Sequence, residues 1–136
     1  MRATHTRFTV TAGAVIFNDK GEVLLLKHLF RAGSGWGLPG GFLELGEQPI
    51  EALRRELHEE VGLEIDHVEV FAARSFRKPQ QVEVIFRGQA NGDVQARSME
   101  VERAEWFAIT ALPDGLPKDQ RLIVERAASD GANRGG

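Results

Sequence analysis

The sequence predicts an α+β layered sandwich, and three observations carry the prediction. Strand-like apolar runs arrive in pairs around turn residues, a segment of helical period interrupts them, and a second helical segment closes the chain. No regular βαβ repeat runs through it. At 136 residues the chain can bury one sizeable core and has no room for a second domain beside it.

Each element has its own signal. Residues 8–17 mix β-branched and apolar side chains with threonine, Asn18-Asp19-Lys20-Gly21 supplies turn chemistry, and residues 22–27 form a second apolar run, together a hairpin. From 28 to 46 the glycines and Pro39 mark a loop that holds a short strand near 40–43. Helix signals then take over. Pro49 suits a first turn, Ile50, Leu53 and Leu57 make an apolar stripe at helical spacing, and Gly62 terminates the helix just beyond Val61. Alternation over 68–76 and 82–86, broken by Arg77-Lys78-Pro79-Gln80, predicts a second hairpin. Asn91-Gly92-Asp93 marks a further turn before a strand at 101–109 ending in Trp106-Phe107. After Pro113 and Pro117, residues 118–129 place Leu122, Ile123, Arg126 and Ala127 on neighbouring faces of a helix that covers the sheet. The domain is thus expected over 1–129, with 130–136, which lack apolar residues larger than alanine, as a flexible tail.

Composition narrows the function. The absence of cysteine excludes disulfides, zinc–thiolate sites and cysteine nucleophiles, and fits a reducing compartment. No apolar run reaches membrane-spanning length, and the first ten residues, MRATHTRFTV, lack the apolar core of a signal peptide, so a cytoplasmic protein without membrane partners is expected. A formal charge of −3 argues against broad electrostatic binding of long nucleic acid. Small anionic substrates stay compatible, because a bound cation reverses the local field.

The chemistry concentrates in residues 41–63, GFLELGEQPIEALRRELHEEVGL. Glu56 lies three and four positions before Glu59 and Glu60, so the three carboxylates share one helix face and can converge on a cation. A solvated acidic face has the same spacing. What separates the two readings is the surrounding pattern. Glu47 falls six positions after Gly41, Arg55 directly precedes Glu56, and Gly62-Leu63 closes the segment. With every specified position filled, and with WGLPGGFLELGE as its lead-in over 36–47, the segment resembles the complete Nudix box. The resemblance is motif-specific over 36–63 and extends to the rest of the chain through element order.

This resemblance implies the family's α/β/α sandwich around a mixed central β-sheet, and a Mg2+ or Mn2+ site. By resemblance Glu59 and Glu60 are metal ligands, Glu56 is a ligand or the group that activates water, and the Gly40 carbonyl is a further ligand. Glu47 contacts a metal, positions water or binds Arg55; a carboxylate beside the positive end of the helix is the structural alternative. Arg55 is assigned to orienting the glutamates with its planar fork. The family often adds a distal carboxylate, for which Glu100 is the first candidate and Glu102 the reserve. Phe30, Trp36 and Phe76 are candidates for stacking on a base, and Arg31, Arg74, Arg77 and Lys78 for meeting phosphate, although core or surface roles are the expectation for most of them. Pro79 matches weakly a position associated with ADP-ribose cleavage in the family, and histidines 5, 28, 58 and 67 form no recognised metal spacing.

The function implied is a divalent-metal-dependent hydrolase that cleaves a diphosphate linkage in a nucleoside diphosphate linked to another moiety, or in a nucleoside triphosphate. Two alternatives stand beside it: a non-catalytic nucleotide or ADP-ribose sensor on the same fold, and an RNA 5′-end pyrophosphohydrolase. A small-molecule nucleotide is the expected partner, and the resemblance favours a homodimer.

Overall fold

A computed structural model describes residues 5–134, with side chains to Gly131. In chain order the described residues form strands β1 (Thr9–Phe17), β2 (Val23–His28), β3 (Trp36–Gly37) and β4 (Gly40–Phe42), helix α1 (Pro49–Val61), and strands β5 (Asp66–Phe76), β6 (Gln81–Gln89) and β7 (Val101–Phe107). A 3-10 turn (Ile109–Ala111) and helix α2 (Lys118–Arg134) follow.

The strands make one mixed sheet in the order β3-β2-β1-β6-β5, with β4 added to β1 and β7 to β2. Only the β1–β6 pair is parallel, running in register from Thr9↔Gln81 to Phe17↔Gln89. Both expected hairpins form, β1–β2 and β5–β6. One edge of β1 is divided. It meets β2 at Phe17↔Val23 and β4 at Thr11↔Phe42 through Gly13↔Gly40, so β2 and β4 diverge from a common strand.

Alternation sorts the core into two layers. Ala12, Ala14, Ile16, Leu24 and Leu26 meet Leu53, Leu57 and Val61 of α1, while Val15, Phe17, Val23, Leu25 and Ile85 meet Ile123, Val124 and Ala127 of α2. Each fully buried leucine on this seam contributes about 1.5–3 kcal/mol of transfer free energy. This is the α/β/α sandwich expected.

α1 begins with Pro49, where the missing N–H leaves no orphan donor, and the Gln48 N–H donates to Glu51 Oε1 at 3.2 Å. It ends at Gly62, whose φ of 68° lets its N–H reach back to the His58 carbonyl. β6 runs on to Gln89 and β7 stops at Phe107, and two further departures from expectation are larger. The loop over 28–46 contains a second short strand, β3, because Trp36 and Gly37 lie alongside Lys27 and Leu26 and take up their backbone groups. α2 also continues past Ser129 to Arg134. Gly131 leaves room for the Arg87 guanidinium, which also donates to the Ala127 carbonyl, so the helix passes β6 without a clash. Residues 135 and 136 of the expected tail lie outside the described residues.

Candidate active site

Two glycines set β4 against its neighbours, Gly40 against β1 and Gly41 against α1. At Gly40, with φ of 144°, a Cβ would stand 2.1 Å from the Ala12 carbonyl oxygen; at Gly41 it would stand 2.5 Å from the Glu56 carboxyl carbon. The bare Cα of Gly41 lets Glu56 lie directly on the strand. Beyond them opens a groove of ≈1040 Å³ whose walls include Gly40, Arg55, Glu56, Glu60, His28 and Glu100.

Arg55 holds this end of the groove together. Its Nε and Nη2 form a fork onto Glu47 Oε2 and Oε1 at 2.8 and 3.0 Å, Nη2 reaches the Phe42 carbonyl at 3.1 Å, and Nη1 donates to Glu56 Oε1 at 3.0 Å. Nη1 lies 3.4 Å from Glu59 Oε2. One guanidinium thus ties the lead-in loop to two helix carboxylates. Its hydrogen bonds to Glu47 push its own pKa up, against a smaller effect of burial. Glu47 also accepts from the Glu44 N–H at 2.9 Å, and the Arg55 hydrogen bonds followed by that backbone bond lower its pKa from 4.5 to about 2. Among the roles open to Glu47, the geometry realises the pairing with Arg55.

Glu60 takes a different partner. The residue is 4% exposed, its Oε2 lies 2.9 Å from His28 Nε2, and its Oε1 is buried with no hydrogen-bond partner. A partnerless carboxylate oxygen in the wall of a groove is costly unless a ligand completes it. Burial raises the pKa of Glu56; the Arg55 hydrogen bond opposes it, and Glu60 and Glu59 add to it. Glu100 faces the same groove, and the Leu29 N–H donates to its carbonyl at 2.9 Å. Glu102 stands instead 3.9 Å from Lys27.

The three helix glutamates do not converge. Among the described residues no three histidine, aspartate or glutamate side chains form a group able to hold an ion. Glu56 and Glu59 lean to Arg55 and Glu60 to His28, each toward the nearest cationic or donor group. Glu59, with its side chain 56% exposed, is absent from the groove wall. The donor chemistry nonetheless fits a hard divalent cation: carboxylate oxygens on Glu56 and Glu60, one of them unpartnered, beside a glycine whose backbone approaches closely.

Several candidate recognition residues have other partners. Trp36 is core, edge-on to Phe107 with ring centroids 5.1 Å apart. Arg74 is bound to Glu83 at 2.6 Å and Asp119 at 2.8 Å, and its guanidinium carbon lies 4.9 Å from the centre of the Phe76 ring. Arg31 is on the groove, but it donates to the carbonyls of Leu26, Gly35 and Leu38, and burial lowers its pKa against the pull of Glu60 and Glu83. Phe30 and Pro79 do line the groove. His28, given no chemistry from its spacing, proves to be the partner of Glu60. The two are 32 residues apart, and only the placement of β2 beside α1 joins them.

Comparison with known proteins shows the family and the fold. A NUDIX domain model matches residues 7–127. The chain is 35% identical over 121 residues to the human 8-oxo-dGDP phosphatase NUDT18, covering 85% of this chain and 37% of that protein. It is 43% identical over 65 residues to the RNA pyrophosphohydrolase of Ruthia magnifica subsp. Calyptogena magnifica, covering 48% and 35%. Among solved structures, the MutT NUDIX hydrolase from Burkholderia pseudomallei superposes with a TM-score of 0.77 at 27% identity, covering 88% of this chain and 98% of that one. The chain spans less than half the length of the curated relatives it matches. Among the described residues no helix is long and apolar enough to cross a membrane.

Proposed function

Because this chain belongs to the Nudix hydrolase family, we propose that it is a Mg2+- or Mn2+-dependent hydrolase of a diphosphate linkage, acting on a nucleoside diphosphate joined to another moiety or on a nucleoside triphosphate. The observation that carries the reading is Glu60 Oε1, buried, partnerless and on the same groove as Glu56 and Gly40. On this reading Glu56, Glu59, Glu60 and the Gly40 carbonyl hold the cation. Bound there, a hard divalent ion supplies Lewis acidity toward diphosphate oxygens and lowers the pKa of a water.

The chain's own residues do the rest. Glu56 either joins the groups holding the cation or takes the proton from attacking water, and its hydrogen bond to Arg55 through Oε1 leaves Oε2 free for that role. Glu47 keeps Arg55 in place as the fully ionised partner. Glu100 is the proposed distal carboxylate, since it alone of the pair Glu100 and Glu102 reaches the groove. A cytoplasmic location and a homodimer belong to the same proposal, the second checked by sedimentation.

The test is a broad panel of nucleoside diphosphate derivatives, nucleoside triphosphates and 5′-triphosphate RNA, assayed with and without Mg2+ or Mn2+ on the wild type and on Glu59→Gln and Glu60→Gln. Metal-dependent turnover by the wild type alone supports the hydrolase. Turnover retained by both variants would refute the site. Tight binding without turnover across the panel would favour a sensor, and turnover confined to RNA ends would favour the RNA 5′-end reading, toward which the Ruthia similarity points.

A further inference from the structure

The loop between β6 and β7, residues 90–100, contains no regular element and carries Glu100 to the groove. Its first half is anchored to the sheet and the core: Trp106 Nε1 donates to the Gly92 carbonyl at 3.0 Å, and Val94 packs against the α1-side layer. Its second half is anchored to α1. The Arg97 N–H donates to the Glu60 carbonyl at 2.8 Å, which satisfies one of the carbonyls that the last helical turn leaves without an intrahelical partner. The Arg97 side chain follows. A Cβ on Gly62 would stand 2.5 Å from Arg97 Nε, so the guanidinium lies against the bare Cα of that glycine, at the negative end of the helix dipole. Gly62 therefore does more than stop α1: it seats a side chain from a distant part of the chain.

From this anchor the chain turns straight to the groove. The Glu100 N–H donates to Ser98 Oγ at 3.1 Å, the Val101 N–H to the Ser98 carbonyl at 3.2 Å, and the Leu29 N–H to the Glu100 carbonyl at 2.9 Å. Residue 100 is thus tied on one side to the end of β2 and on the other, through Ser98 and Arg97, to the end of α1. The α1 residue in this tie is Glu60, whose own carboxylate is the buried one on the groove. Met99, between the two ties, is 94% exposed, so its side chain does not hold the turn down.

We propose that Arg97 is a positioning residue for Glu100: its guanidinium, seated on Gly62, clamps the loop to the C-terminal end of α1 and so fixes where the Glu100 carboxylate stands relative to the carboxylates of that helix. The inference rests on the proposed hydrolase reading, in which Glu100 is the distal carboxylate. Arg97 is absent from the groove wall, so it acts on the reaction through the loop. The backbone bond to Glu60 survives a change of side chain. Without the guanidinium, however, it is a lone hydrogen bond of an exposed residue in a loop, the kind that opens locally.

The test joins turnover to a measurement that does not depend on it. In Arg97→Ala, kcat for the best substrate of the panel is expected to fall about tenfold while KM and Mn2+ affinity stay within about twofold of wild type, since the groove wall and the α1 carboxylates are untouched. Arg97→Lys, which keeps a cation at the helix end, should recover most of the loss. Added to Glu100→Gln, Arg97→Ala should cost nothing further, because a clamp that works through Glu100 has no effect once that carboxylate is gone. Hydrogen–deuterium exchange in metal-free buffer should show the amides of residues 97–101 exchanging about tenfold faster in Arg97→Ala, with those of α1 unchanged. Unchanged kcat or unchanged exchange in Arg97→Ala, losses that multiply with those of Glu100→Gln, or a fall in Mn2+ affinity matching the fall in kcat would overturn the inference. So would wild-type kcat in Glu100→Gln, which would leave a metal-dependent hydrolase standing without this carboxylate. Faster exchange confined to 97–101 in a chain that hydrolyses nothing on the panel would sink the hydrolase reading and leave the clamp in place.

Discussion

The two ends of the groove are assembled by opposite means. At the acidic end Arg55 joins Glu47, Glu56 and Glu59, all within eight residues of it, so one helix and its lead-in loop carry the arrangement. At the other end Gln120 accepts from Leu38 across 82 residues, and Arg74 of β5 binds both Glu83 of β6 and Asp119 of α2. The first depends on helical spacing and on Gly41, whose bare Cα accommodates Glu56. The second is complete only once α2 has docked on the sheet. One end of the groove is therefore written in a short local motif, whereas the other is distributed over elements that meet only in the folded chain.

The most severe way to break the local end is to remove its hub. Arg55→Ala leaves Glu47, Glu56 and Glu59 without their shared cation, and activity together with Mn2+ affinity is expected to fall by about 10- to 100-fold, toward the upper figure. Arg55→Lys should not restore it, because an ammonium cannot reproduce the fork onto Glu47 while also reaching Glu56. Titration of Mn2+ by electron paramagnetic resonance reads the binding part separately from turnover. A lysine variant with wild-type affinity would show that charge alone, not the planar fork, organises this end.

The same contrast sets how much of the molecule was legible in the sequence. The stripe Ile50, Leu53, Leu57 and the stop at Gly62 located α1 over Pro49–Val61, because cap and period are local properties. The pairing of Arg55 with the helix glutamates was legible for the same reason. For Trp36 the sequence left base stacking and core packing both open, and its contact with Phe107 decides for the core. Arg74 and Arg31 resembled free cations, but their partners lie on other strands or on backbone carbonyls, which no spacing encodes. The length of α2 was missed because a run without large apolar residues gives no period, while a helix already anchored by Ile123, Val124 and Ala127 extends through its own backbone hydrogen bonds.

His28 lies between the two regimes, a non-local residue serving the local motif. Replacing it with alanine removes the hydrogen bond to Glu60 Oε2 and leaves a carboxylate that is 4% exposed with neither oxygen partnered. Mn2+ affinity is expected to fall about tenfold, less than for Arg55→Ala, since one carboxylate rather than three loses its orientation. His28→Gln, which keeps a donor on a side chain of similar reach, should recover most of it. Equal affinities in all three proteins would make His28 a packing residue and confine the cation site to the box.

The smallest effect is on stability, and it splits the acidic end by sign. Glu47 has its folded-state pKa lowered from 4.5 to about 2, chiefly by Arg55, so its pairing stabilises the fold fully above pH 4.5 and the contribution is lost as pH falls toward 2. Glu56 is raised, chiefly by burial, so its charged form weighs against folding at neutral pH, and that burden is relieved as pH falls through its raised pKa. Glu47→Gln should accordingly lower Tm at pH 7, and Glu56→Gln should raise it. Both differences from wild type should shrink in acid, Glu56→Gln first. Thermal melts by circular dichroism across pH 2–8 in metal-free buffer measure this directly. If both variants lower Tm at pH 7, Glu56 is stabilised by Arg55 more than it is penalised by burial and by its neighbouring carboxylates, and the acidic end is a structural salt-bridge cluster rather than a site held ready for a cation.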